Sequence, residues 1–150
     1  MRLSQITGNA HYHEMASKSL ACFSEYLETI PQALPQLLVA VDFNLSKPVQ
    51  IILAGDRKHP VIREMVDEIH SRFLPNKIVL FADGAEGQVY LSHTVPFFGN
   101  LSTSRGKQMV YICKNFTCEL PTSDVETMIQ TLESINGENK SAATTITEDR

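Results

Sequence analysis

The first third of the chain spaces its apolar residues with the period of an α-helix. From Ala10 to Ile30 apolar side chains recur every three or four residues, which places them along one stripe of a helix. Pro31 ends this pattern, and a second stripe runs from Ala33 to Leu45. We therefore predict a helical pair over residues 1–46. Because two amphipathic helices alone leave much of their apolar stripe in water, we expect this segment to lie against a partner surface.

The pattern changes to that of a strand after Pro48. Val49–Ala54 is apolar except for Gln50, which is typical of a strand covered on both faces. A helical stripe follows from Pro60 to Phe73, and a second strand is predicted over Lys77–Ala82. The two strand starts are separated by roughly the thirty residues of a β–α–β unit, for which a right-handed parallel crossover is the default.

The remaining segments complete a small sheet. A short helix at Glu86–Ser92 and a loop at Val95–Arg105 precede a third strand, predicted over Met109–Cys113. Ser123, with Glu126 three residues later, is typical of a capping box, and it would open a helix that ends near Ile135.

Together these elements predict an α/β fold. Residues 1–46 would form the helical pair. Residues 47–135 would form a small, mainly parallel three-stranded sheet with flanking helices, and the polar residues 136–150 a disordered tail. A composition of 43% hydrophobic and 20% charged residues is ordinary for such a domain.

Charge and targeting signals narrow the classes of partner. The net charge of −4 provides no general basic field for nucleic acid or anionic lipid, so neither nucleic acid nor a membrane is expected as a partner. No stretch approaches the roughly twenty apolar residues of a membrane span, and the opening residues lack the pattern of a secretory signal. Three cysteines without framework spacing favour a reducing compartment, and we expect a cytoplasmic location.

Candidate ligand-binding residues follow the first two predicted strands. Gly55 and Asp56 follow one strand, Asp83 and Gly84 the other, and ligands of parallel sheets bind beyond the carboxyl ends of the strands. The single Gly55 falls short of the glycine-rich loops that cradle phosphates. Turn formation and helix capping are the alternative role of these four residues. The sequence predicts no catalytic residue, metal site or cofactor.

Cys113 and Cys118 are the candidate thiol pair. Five positions along an extended strand span about 16 Å, whereas a disulfide requires Cα atoms within about 7 Å. Only a turn between them could bring them together. Their spacing is not that of a Cys-x-x-Cys redox motif, and a zinc site would need two further ligands. Buried or structural thiols are therefore the main interpretation, with thiol redox chemistry as the alternative.

Three segments, taken in order, resemble a known family. They read LPQLLVAVDFNLSKP, then VQIILAGDRKHPVIREMVDEIHSRFLPNKIVLFAD, then QMVYICKNFTCELPTSDVE. The order of FLPNK, YICKNFTC and a Pro-Thr-x-Asp helix start is distinctive. These residues resemble the carboxyl-terminal region of the thioredoxin-domain-containing family that includes spermatogenesis-associated protein 20 and its bacterial relatives, and the resemblance covers about Leu3 to Leu132.

The resemblance implies a place within a longer protein. Full-length members carry a thioredoxin-like domain, then an (α/α)-barrel similar to N-acylglucosamine 2-epimerases and six-hairpin glycosidases, and close with a segment like this one. Leu3 to Leu45 would then be the tail of the barrel and Val49 to Leu132 the closing α/β piece. The chain contains no thioredoxin-like domain and almost none of the barrel. No residue tied to a redox or carbohydrate-related activity is therefore carried over.

We accordingly expect a fragment or remnant with a structural or interaction role and no independent catalysis. Its partner would be the missing amino-terminal part of the same protein, or a second copy bound through the amino-terminal helices. The alternative is a small ligand-binding or thiol-redox module that uses the strand-end glycines and aspartates with Cys113 and Cys118. Convergence of Asp56, Asp83 and Cys118 on one pocket would favour the module, and a bare apolar stripe on the first helices would favour the fragment.

Overall fold

The computed structural model of the protein describes residues 1–101, 107–114 and 117–145. The helices are α1 (Arg2–Thr7), α2 (Ala10–Cys22), α3 (Ser24–Thr29), α4 (Pro35–Leu45), α5 (Pro60–Ser71), α6 (Glu86–Ser92), α7 (Pro96–Gly99) and α8 (Val125–Thr145), with a 3₁₀ turn at Pro31–Ala33. The strands are β1 (Val49–Ala54), β2 (Lys77–Ala82), β3 (Met109–Lys114) and β4 (Thr117–Cys118).

The described strands form one sheet in the order β2-β1-β3-β4. β1 and β2 are parallel, as the β–α–β spacing predicts, whereas β3 is antiparallel to both β1 and β4. The α/β class is confirmed. The predicted three-stranded, mainly parallel sheet is wrong in its detail, because the sheet has a fourth strand and only one of its three strand pairs is parallel.

β3 enters the sheet at the edge where β1 and β2 end. It begins at Met109 opposite Ala54, and β2 ends at Ala82 beside the same residue. β3 therefore runs back along β1 and is antiparallel to it, which the spacing of the predicted elements did not determine.

β1 is buried on both faces. All six of its residues are buried, with at most 5% exposure, which confirms the prediction from its apolar run. One face packs against α5 and α8, and this cluster contains Val49, Ile51, Leu53, Ile62, Met65, Ile69, Leu74, Val110, Ile112, Met128, Leu132 and Ile135. The other face contributes to a smaller cluster of Ile52, Ala54, Ala82, Val95, Phe98 and Cys113.

The apolar stripe of α5 is buried only as far as the helix extends. Ile62, Met65 and Ile69 are fully buried against β1, as the apolar stripe predicts. Phe73, predicted to face inward with them, is 80% exposed. Since α5 ends at Ser71, the helical spacing no longer determines where Phe73 points.

α8 differs from its prediction at both ends. Its amino terminus is capped by Asp124, whose Oδ2 accepts a hydrogen bond from the Thr127 amide at 2.8 Å. The predicted capping box, with Ser123 as the capping residue, is therefore wrong by one position. The helix continues to Thr145, where the sequence predicts a disordered tail from residue 136, and residues 146–150 lie outside the described part. No described helix, α8 included, is long and apolar enough to cross a membrane.

The amino-terminal helices are anchored to the sheet by polar contacts and by Ile6, which packs against the cluster around Ile52. The Arg2 guanidinium donates a hydrogen bond to the Lys77 carbonyl at 3.0 Å and stacks over the Phe43 ring, 4.7 Å from its centroid. Gln50 Nε2 donates to the Gln5 carbonyl. α1 and the end of α4 are thereby held against the α/β segment, although the predicted helix over 10–30 divides into α2 and α3.

Most of the helical apolar stripe remains uncovered. Residues 1–46 are all described, and only Ser4 and Phe43 among them are buried. We use the term amino-terminal apolar surface for the large apolar side chains of α2, α3 and α4 that are 39–55% exposed, together with Phe23 and Ile30 beside them. These are Tyr12, Met15, Phe23, Tyr26, Ile30, Leu38 and Val39.

The contrast between Ile69 and Phe73 is a test of this packing. Ile69→Ala leaves a cavity between α5 and β1 and should lower the free energy of unfolding by about 2–5 kcal/mol. Phe73→Ala removes a side chain that is already in water, and should change it by less than about 0.5 kcal/mol. Urea denaturation followed by circular dichroism measures both. Similar losses in the two variants would contradict the observed end of α5.

Candidate functional site at the carboxyl edge of the sheet

The parallel strands β1 and β2 end side by side and open into a cleft. The cavity has a volume of about 760 Å³. It contains all four of the predicted ligand-binding residues: Gly55, Asp56, Asp83 and Gly84. The other lining residues are Arg57, Lys58, Ala82, Ala85, Gln88, Gly99, Leu101 and Gln108.

Gln108 approaches the backbone of Gly55 so closely that there is no room for a side chain at position 55. A Cβ atom at this position would lie 1.7 Å from Gln108 Oε1, and the backbone φ of +151° is one that other residues rarely adopt. The same Oε1 accepts a hydrogen bond from the Asp56 amide at 2.9 Å. Gln108 therefore ties the end of β1 to the start of β3. No local pattern in the sequence marks Gln108, because its partners lie more than fifty positions earlier.

Asp56 forms a turn that leads into α5. Its Oδ1 accepts a hydrogen bond from the Lys58 amide, and its carbonyl accepts one from the His59 amide, both at 2.9 Å. His59 in turn caps α5, because its Nδ1 accepts from the Val61 amide at 3.3 Å. Turn formation and helix capping, the alternative that the sequence left open, thus describe the contacts at this end of the cleft.

Asp83 is neutralised within the cleft. Its Oδ2 lies 2.5 Å from Arg57 Nε, and the Arg57 guanidinium also stacks over the Phe81 ring. Its Oδ1 accepts a hydrogen bond from the Ala85 amide at 3.0 Å. Burial acts to raise the pKa of Asp83, but the hydrogen bonds from Ala85 and Arg57, with the positive charge of Arg57, outweigh it and lower the pKa. The carboxylate is therefore ionised and paired at neutral pH.

Gln88 forms one wall of the cleft, although it was not among the residues predicted from the sequence. Its side chain is only 7% exposed. Its Oε1 accepts from the Gly84 amide at 2.7 Å, while its Nε2 donates to the carbonyls of Phe98 at 3.0 Å and Leu101 at 2.7 Å. One neutral amide thus joins the turn after β2 to the chain around α7. A buried glutamine has no sequence signature that separates it from an exposed one.

The cysteines lie elsewhere and are paired. Cys113 and Cys118 face each other across β3 and β4 and form a disulfide with an S–S distance of 2.08 Å. The interpretation as buried or structural thiols is corrected to a disulfide, because the antiparallel pairing of β3 and β4 places the two Cα atoms 3.9 Å apart. Cys22, expected to be packed in its helix, is exposed and free. With two of the three cysteines paired, the cysteine count no longer favours a reducing compartment.

The candidate residues therefore separate into two groups. Cys113 pairs with Gln50 near the start of β1, whereas Gly55 follows its end, a separation of about 16 Å along the strand. Asp56 and Asp83 share the cleft, and Cys118 does not line it. Among the described residues, no group of three histidine, cysteine or acidic side chains is placed to hold a metal ion.

The fold and these surfaces define a class: a small α/β protein with a charged cleft and an uncovered helical surface. The chain is 31% identical to human spermatogenesis-associated protein 20 over 124 residues, which cover 83% of the chain, and equally similar to the rat protein. An uncharacterized protein of Caenorhabditis elegans is 29% identical over 126 residues, 84% of the chain. The chain belongs to the spermatogenesis-associated protein 20 family.

The relatives are much longer than this chain. The match covers 16% of the human and rat proteins and 17% of the nematode protein. The chain thus corresponds to about one sixth of the length of the curated relatives it matches. No family model matches the chain, and no solved structure matches it with significance.

Gly55→Ala tests the approach of Gln108 to the end of β1. The added methyl group should displace the Gln108 side chain and lower the free energy of unfolding by about 1–3 kcal/mol. Gly87→Ala is the matched control, because nothing lies within 4 Å of its Cβ position in α6. It should be neutral or stabilise by up to about 1 kcal/mol. Thermal and urea unfolding measure both, and equal effects would refute the close contact.

Asp83→Asn tests the lowered pKa of this carboxylate. Because the pKa of Asp83 is lower in the folded protein than in the unfolded chain, its ionised form stabilises the fold above about pH 4. That contribution is lost as the pH falls through the lowered pKa. The variant should therefore lose stability less steeply than the parent below about pH 4. At neutral pH the exposed Arg57 limits the difference to about 1 kcal/mol or less. Urea denaturation across this pH range is the measurement, and parallel pH profiles would contradict it.

Proposed function

We propose that this segment is a non-catalytic closing module of a larger protein, held in place through its amino-terminal apolar surface. The observation that carries the proposal is the contrast between its two parts. Residues 47–135 bury β1 on both faces, whereas residues 1–46 bury only Ser4 and Phe43. The matched relatives are about six times longer than this chain, and the rest of such a protein would cover the helices.

The exposed side chains are concentrated on consecutive helices. Met15, Tyr26 and Val39 are 54%, 55% and 52% exposed, and they come from α2, α3 and α4. Exposed apolar patches larger than a few hundred Å² commonly mark protein–protein contacts. A cavity of about 380 Å³ between α1, α2 and α4 shows that these helices do not fill the space between them.

The family resemblance supports a more specific form of the proposal. In that form, α1–α4 are the last helices of an (α/α)-barrel, and β1 begins the piece that closes the protein. Redox or carbohydrate-related chemistry would then reside in the thioredoxin-like domain or the barrel of the longer protein. A cytoplasmic setting belongs to the same proposal. Self-association through the helices is the competing way to cover this surface.

Ligand binding in the carboxyl-edge cleft is the second candidate function. Gly55, Asp56, Asp83 and Gly84 line one cavity, which favours it. However, Asp83 is paired with Arg57, and Asp56 accepts the Lys58 amide within its own turn. We rank this candidate lower because these carboxylates already have partners within the protein.

The proposal predicts that the chain on its own binds a hydrophobic dye or self-associates. Substituting Met15, Tyr26 and Val39 with serine should reduce dye fluorescence several-fold and restore a monomer, because it removes apolar area from water-exposed helices. The dye 1-anilinonaphthalene-8-sulfonate and light scattering after gel filtration provide the readouts. Co-purification with human spermatogenesis-associated protein 20 lacking its matched 124 residues tests the covering partner directly.

The matched control changes Val89, Tyr90 and Phe73 to serine, since these side chains are equally or more exposed but lie outside residues 1–46. It should leave dye binding and association unchanged. An Asp56→Ser variant probes the cleft in the same assays. A monomeric parent chain that binds no dye would refute the proposal, and association lost only with Asp56→Ser would favour the cleft.

A further inference from the structure

The segment 117–122 lies along the outer edge of the sheet without an apolar anchor. The side chains at 117–121 are all exposed, and Leu120 is 95% exposed. β4 within this segment is only two residues long. Since no apolar side chain of 117–121 is buried, hydrophobic burial contributes little to holding this segment against β3.

Backbone hydrogen bonds and one covalent bond hold the segment in place. The Glu119 amide donates to the Ile112 carbonyl at 2.9 Å. Val110 and Thr122 exchange two further hydrogen bonds, at 2.8 and 3.1 Å. The disulfide between Cys113 and Cys118 is the covalent connection. Short exposed ladders of this kind open readily, so the covalent bond should dominate the attachment.

The two sulfur atoms differ in their access to solvent. Cys113 is 2% exposed and belongs to the cluster around Ile52 and Phe98. Cys118 is exposed on the short edge strand β4. Thiol–disulfide exchange requires direct attack on one sulfur, and the exposure of the two residues favours attack on the Cys118 side of the bond.

We propose that the Cys113–Cys118 disulfide is a reversible exchange site for dithiols, and that its reduction frees the segment 117–122 from β3. A thiolate of the dithiol attacks Cys118 Sγ and forms a mixed disulfide, and Cys113 leaves as a thiolate that takes up a proton. The second thiol of the dithiol then attacks the dithiol's first sulfur in the mixed disulfide, and Cys118 leaves as a thiolate that takes up a proton. The dithiol ends as a disulfide, and the protein gains two electrons and two protons.

Dithiothreitol and alkylation of the native 150-residue chain test the exchange. Before reduction only Cys22 should be alkylated; after reduction Cys118 should be alkylated as well, and the buried Cys113 more slowly, as counted by mass spectrometry. Two serine variants in a Cys22→Ser background test the asymmetry. The Cys113→Ser variant retains Cys118, and the Cys118→Ser variant retains Cys113. The retained Cys118 should form a mixed disulfide with oxidised glutathione at least about tenfold faster than the retained Cys113. Equal rates, or reduction only after denaturation, would overturn the proposal.

Hydrogen exchange tests the release of the segment. On reduction, the amides of Glu119 and Thr122 should exchange at least about tenfold faster, while the β1 amides remain unchanged. Cys118→Ser should show the faster exchange without any reductant, and Cys22→Ser should behave as the parent. Unchanged protection of Glu119 and Thr122 in both the reduced chain and Cys118→Ser would show that the disulfide does not hold the segment.

Discussion

The burial of β1 on both faces is the constraint on which the rest of the structure depends. Val49, Ile51 and Leu53 require cover on one side, which α5 and α8 provide, while Ile52 and Ala54 require cover on the other. A strand with two apolar faces must lie inside the sheet and between layers. β2 and β3 therefore pair with β1 on its two sides. The cleft lies at the carboxyl end of β1, and the disulfide lies near its amino end.

The helical region is attached to this core by a different kind of interaction. Arg2 and Gln5 contact the α/β segment through hydrogen bonds to or from backbone groups, and Phe43 is its one buried large apolar side chain. Such contacts specify an orientation but bury little apolar area. The apolar stripe is thus left available, which suits a segment whose relatives are much longer proteins.

Neutral amides, rather than the charged residues, organise the cleft. Gln108 spans from the end of β1 to the start of β3, and Gln88 joins three backbone groups at 84, 98 and 101. Asp56 and Asp83 can be predicted from the sequence because they follow the strands, and the structure does bring them together. Gln88 and Gln108 cannot, since a glutamine is distinguished only by the distant groups that converge on it.

The sequence by itself determined β1, α5 and β2, because helical and strand periods are local properties that neighbouring residues fully express. It also indicated that β1 is buried on both faces and that the apolar stripe of the first helices is exposed. Only the tertiary structure decided the direction of β3, the pairing of Cys113 with Cys118 and the exposure of Phe73. Each of these depends on the position at which a helix or strand ends. A shift of one or two residues there changes the direction in which the following side chains point.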